Sequence, residues 1–122
     1  MCRRHDMGQA HVIPARDELA IESALREKVA LLFKHSPRCG TSHRAFREVT
    51  RFEETASGSP VYLLDVVSER QLARAVAERL EVRHESPQVI FLAGGRPVWH
   101  ASHGTIRADL LAERVPEPDD ST

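Results

Sequence analysis

Short apolar runs alternate with segments of helical spacing along this chain. Val29-Ala30-Leu31-Leu32-Phe33 is unbroken and of strand length, the pattern of a strand buried on both faces. Val61 to Val66 and Val89 to Leu92 repeat that pattern. Pro97 to Ala101 reads as a fourth strand, at an edge, entered through a Gly94-Gly95 hairpin turn. Asp17 is placed to cap a first helix, with Leu19, Ile21, Ala24 and Leu25 apolar and an end near Glu27. Phe46, Val49 and Phe52 mark one side of a helix from about Gly40 to Glu54, and Ser57-Gly58-Ser59-Pro60 stops it. Ser68-Glu69-Arg70-Gln71 has the form of a capping box, and the helix it opens carries Leu72, Ala75, Val76 and Leu80 inward. Thr105 is expected to cap a last helix with Ile106, Leu110 and Leu111 inward.

The order is helix, strand-helix-strand, helix, strand-strand-helix. A helical crossover makes the first two strands parallel, and the Gly-Gly turn makes the last two antiparallel. Helices then cover both faces of a mixed four-stranded sheet, a three-layer α/β/α sandwich. This order is that of the thioredoxin-like fold in its glutaredoxin-sized form, with an extra N-terminal helix. Residues 1–16 read as a polar leader in which His11-Val12-Ile13 is the one stretch suited to a small edge strand. Residues 17–115 form the domain and residues 116–122 a short acidic tail.

Composition narrows the function. The 122 residues suit one domain, and a net charge of −1 from 17 basic and 18 acidic side chains supplies no field for gripping nucleic acid. No apolar run approaches the ~20 residues needed to cross a bilayer. The opening Met-Cys-Arg-Arg-His-Asp has no signal-peptide pattern, so a cytoplasmic protein is expected. Two cysteines, Cys2 and Cys39, make no disulfide framework. Cys2 lies in the leader and is lost if Met7 is the true start.

Cys39 stands between a buried strand and a helix, where unpaired N–H groups and the positive dipole end favour a thiolate. Arg38, His35 and Arg44, when charged, would push the same way. In Cys39-Gly40-Thr41-Ser42, serine holds the place of the second sulfur of a Cys-x-x-Cys site. The Ser42 hydroxyl can hydrogen-bond the thiolate but cannot attack a disulfide. The expected chemistry is monothiol: one nucleophile, one mixed disulfide, and release by a thiol from outside. On this reading Cys39 and Ser42 are the catalytic pair, and His35, Arg38, Gly40 and Thr41 stabilise the thiolate.

Lys34-His35-Ser36-Pro37-Arg38-Cys39-Gly40-Thr41-Ser42, with the strand before it, closely resembles the YtxJ family of thioredoxin-like proteins linked to bacillithiol. The resemblance spans roughly residues 17–114. It implies handling of bacillithiol, or a similar small thiol, on proteins that carry mixed disulfides, with that thiol as co-substrate and no tightly bound cofactor. The stretch from Ser86-Pro87 through Gly104 also resembles the second half of thioredoxins. That implies a cis Ser86-Pro87 peptide facing the cysteine and binding substrate. Gly40 departs from the proline common in the family.

Two other readings exist. Cys-Gly-x-Ser also resembles monothiol glutaredoxins that carry [2Fe–2S] clusters, although Thr41 replaces their phenylalanine. A redox-sensing adaptor is the other. His35, Cys39 and His43, four apart, would need a fourth ligand to hold zinc, and they read instead as solvated histidines tuning the thiolate. No metal is expected.

Overall fold

The computed structural model describes residues 12–55 and 59–117. The strands are β1 (Val12–Pro14), β2 (Val29–His35), β3 (Val61–Asp65), β4 (Gln88–Ala93) and β5 (Arg96–Ser102). The helices are α1 (Glu18–Arg26), α2 (Gly40–Thr55), α3 (Arg70–Leu80) and α4 (Ala108–Arg114), with a short 3-10 turn at His103–Thr105. Among the described residues the sheet has five strands in the order β1-β3-β2-β4-β5. The β2–β3 pair is parallel and the β2–β4 and β4–β5 pairs are antiparallel. The fifth strand is β1, which runs parallel to β3 with Val12 opposite Val61.

Side-chain alternation divides the core. Leu32, Tyr62, Leu64, Ile90 and Leu92 pack with Ile21 and Ala24 of α1 and Ala73, Val76 and Leu80 of α3. Their neighbours Leu31, Phe33, Val61, Val89 and Phe91 face the other way, against Ala45, Val49 and Phe52 of α2 and Ala108 and Leu111 of α4. Each run is continuous in sequence because both faces of its strand are covered.

Several local expectations are corrected. Asp17 does cap α1, its carboxylate accepting from the Ala20 N–H at 3.0 Å, but Leu19 is 77% exposed. The capping box at Ser68 does not form. The Asp65 carboxylate accepts from the Val67 and Ser68 N–H groups, and this turn delays α3 to Arg70. Ala73 is then buried and Ala75 exposed. Thr105 lies in the 3-10 turn rather than at a helix cap. The Ala108 N–H at the start of α4 instead donates to Glu48 of α2, at 2.8 Å. Leu110 is only partly buried, and Ile106, Ala108 and Leu111 fill that side.

One rim of the sheet matters most. The C-terminal ends of β2 and β3, the start of β4 and the end of β5 all reach it. The Val66 N–H donates to the His35 carbonyl at 2.9 Å, and the His103 N–H to the Pro87 carbonyl at 3.0 Å.

Candidate active site at the start of α2

The apolar run of β2 continues past Phe33 into Lys34 and His35, both buried. The chain then turns through Ser36-Pro37-Arg38, with the Cys39 N–H donating to the Ser36 carbonyl at 3.1 Å, and enters α2 at Gly40. Cys39 therefore sits where a helix-capping side chain would sit. Its half-exposed sulfur accepts from the backbone N–H groups of Ser42 and Thr41, and less strongly from the Thr41 hydroxyl. These donors outweigh the cost of partial burial and hold the thiol below the ordinary cysteine range.

Ser42 is fully buried, and its hydroxyl is occupied beneath the sulfur. It accepts from the Ser36 N–H at 2.9 Å and shares a 2.8 Å hydrogen bond with His35 Nδ1. The Ser42 group aimed at Cys39 is the backbone N–H. His35 packs edge-on against Phe46 and His43. Burial, then the charge of His43, holds its pKa below the usual imidazole value, although Asp65 opposes this. A charged His35 is therefore not the source of thiolate stabilisation at neutral pH, because the buried ring is uncharged there. His43 donates from Nε2 to the Pro37 carbonyl, fixing the loop before the cysteine. Arg38 is exposed. Arg44 reaches away, to the Ile106 carbonyl at 3.4 Å.

The Ser86-Pro87 peptide is cis. Pro87 precedes Gln88, which lies opposite Lys34 in the β2–β4 ladder, so the loop meets the rim beside His35. Ser86 Oγ is the one buried side-chain polar atom among the described residues without a hydrogen-bond partner. Such an atom is costly unless something else completes it. Among the described residues no group of three His, Cys, Asp or Glu side chains could hold a metal ion. An open cleft lined by Asp17, Val67, Ser68 and Arg70 includes none of the cysteine loop.

The description monothiol bacilliredoxin BrxC matches residues 14–111. The chain belongs to that family. A solved protein with a thioredoxin fold is 30% identical, with a TM-score of 0.81 over 87% of this chain and 95% of that one. A mutant thioredoxin from Halobacterium salinarum NRC-1 is 18% identical, with a TM-score of 0.72 over 86% and 88% of the two chains. Oxidised mitochondrial thioredoxin 3 from Saccharomyces cerevisiae, at 10% identity and a TM-score of 0.70, covers 88% of this chain and 96% of its own. The last two likenesses establish the thioredoxin fold, and the bacilliredoxin family adds thiol redox chemistry. No helix among the described residues is long and apolar enough to cross a membrane.

Sequence reasoning named Cys39, Ser42 and the Ser86-Pro87 loop, but it gave Lys34 no role beyond its place in the motif and missed Gln88, and these two join the halves of this rim. The available signal was period two: Lys34 falls on the same strand face as Leu32, a core position.

Proposed function

We propose that this chain is a monothiol thiol-disulfide oxidoreductase that removes bacillithiol, or a similar small thiol, from protein mixed disulfides through Cys39. The observation that carries the reading is the half-exposed sulfur at the helix start, with Ser42 and Thr41 N–H groups donating to it. The Cys39 thiolate attacks the sulfur of the small thiol. The S–S bond to the protein breaks, a new Cys39–S–S bond forms, and the protein leaves as thiolate. A second small-thiol anion then attacks the adduct, leaving as a symmetric disulfide and restoring Cys39 as thiolate. Ser42 takes no electrons and contributes its N–H. His35 anchors the Ser42 hydroxyl below the loop that presents Cys39, and the Ser86-Pro87 loop receives substrate at the rim.

Intact mass spectrometry of the reduced protein mixed with a bacillithiolated protein tests this. The expected result is one small-thiol adduct on Cys39 that persists until external thiol is added. Cys39→Ser should abolish transfer, and deletion of residues 1–6, which removes Cys2, should leave it intact. Transfer surviving in Cys39→Ser, or lost in the deletion alone, would move the nucleophile to Cys2. No transfer in any form would favour a binding or adaptor role.

A further inference from the structure

Lys34 is fully buried, and its Nζ donates to Gln88 Oε1 at 2.9 Å. Gln88, 1% exposed, donates in turn from Nε2 to the Arg83 carbonyl at 3.0 Å. The two residues are opposite each other in the β2–β4 ladder, 54 positions apart in sequence. Each adjoins a functional segment. Lys34 precedes His35, which holds Ser42, and Gln88 follows the cis Ser86-Pro87 peptide.

A buried ammonium whose hydrogen bond goes to a neutral amide is a costly choice at a core position that methionine could fill. Its geometry gives what methionine cannot: a link from β2 across to β4 and on to the backbone of the 83–87 loop. We propose that Lys34 is a positioning residue for substrate capture, fixing the Arg83–Pro87 loop, through Gln88, against the end of β2 that carries Cys39. The proposal rests on the thiol-transfer reading above and adds a control on it, because capture depends on this link while thiolate formation does not.

The charges around Lys34 set its pH range. Burial lowers its pKa to about 8, and Glu85 of the loop opposes that fall. His84 of the same loop is held below the usual imidazole range by burial and then by the charges of Lys34 and of Arg74 on α3, with Glu85 again opposing. Above about pH 8 the charge-assisted bond to Gln88 becomes an ordinary one, and the attraction to Glu85 is lost.

Lys34→Met tests the proposal with three readouts. Transfer from a bacillithiolated protein should slow roughly tenfold, the scale of losing one hydrogen bond to a charged group. Hydrogen exchange should quicken in peptides covering residues 83–88. The pH profile of iodoacetamide labelling at Cys39 should stay unchanged. Wild-type transfer should decline above about pH 8 while labelling does not, and Lys34→Met should lack that decline. Lys34→Met combined with Gln88→Leu keeps the test valid if the single variant is unstable. Replacing both partners should restore stability but neither fast transfer nor loop protection. Unchanged transfer and exchange in Lys34→Met would overturn the proposal, as would transfer and labelling falling together. Absence of transfer in the wild type overturns the oxidoreductase reading instead, and loop exchange then decides separately whether Lys34 holds the loop.

Discussion

At Cys39 the first N–H groups of α2 find their acceptor in a sulfur atom. A thiol held below its unfolded pKa releases its proton on folding. Its contribution to stability is therefore fully present above the unfolded value of ~8.5 and is lost as pH falls through the folded value. Reduced wild type should gain stability relative to Cys39→Ser as pH rises from ~6 to ~8.5, read as urea midpoints. A constant gap across that range would mean an ordinary thiol. Ser42 carries a different load. Ser42→Ala leaves the Ser36 N–H and His35 Nδ1 without their shared partner, in a fully buried place. We expect a loss of roughly 1–3 kcal/mol in chemical denaturation. A change near zero would show that the pair rearranges freely.

At the level of elements, two glycines separate conformational need from convenience. Gly95 has φ of +82°, and an added Cβ would lie 2.8 Å from the Leu25 carbonyl oxygen. Gly95→Ala should cost about 1–3 kcal/mol, because the hairpin and the end of α1 would both have to move. At Gly40 an added Cβ meets nothing within 4 Å, and the sulfur takes its backbone donors from Thr41 and Ser42. Gly40→Ala should stabilise by about 0.4–1 kcal/mol without moving the Cys39 labelling midpoint. A shifted midpoint would mean that the Gly40 backbone tunes the thiolate. The strands and helices were legible in the sequence because burial on both faces makes apolar runs, and because Pro60 and Gly94-Gly95 punctuate them. The caps were less legible. Ser68 has the right neighbours for a capping box, yet Asp65 claims the N–H groups of its turn. Glu48 caps α4 from 60 residues away. At the site, local order revealed Cys39 and Ser42, whereas the Lys34–Gln88 link joins residues 54 positions apart that only the β2–β4 register brings together.

For the molecule as a whole, acid is the weak direction. Burial is the leading cause of lowered pKa at both His35 and His84, so the unfolded chain binds more protons than the native one. The stability they contribute is fully present above the unfolded imidazole value of ~6.5 and is lost as pH falls through the folded values. The urea midpoint should drop between pH 7.5 and pH 5, and His35→Asn should show a shallower drop. A midpoint that rises on acidification would contradict the lowered imidazole pKa values of His35 and His84. Because the same rim holds His35, Cys39 and the Ser86-Pro87 loop, mild acid should loosen the site before the distant Gly94-Gly95 end. Site-resolved hydrogen exchange at pH 5.5 can compare the two ends.

The occupied Ser42 hydroxyl also bears on how such a protein could change its trade. Giving it a second sulfur looks like a one-letter step, Ser42→Cys. A thiol is a weak donor and a weak acceptor, so the same step would slacken the bonds that shape the loop ahead of Cys39. A lineage moving from one thiol to two would therefore need compensating changes at Ser36 or His35, and one moving the other way would find those contacts ready to be filled.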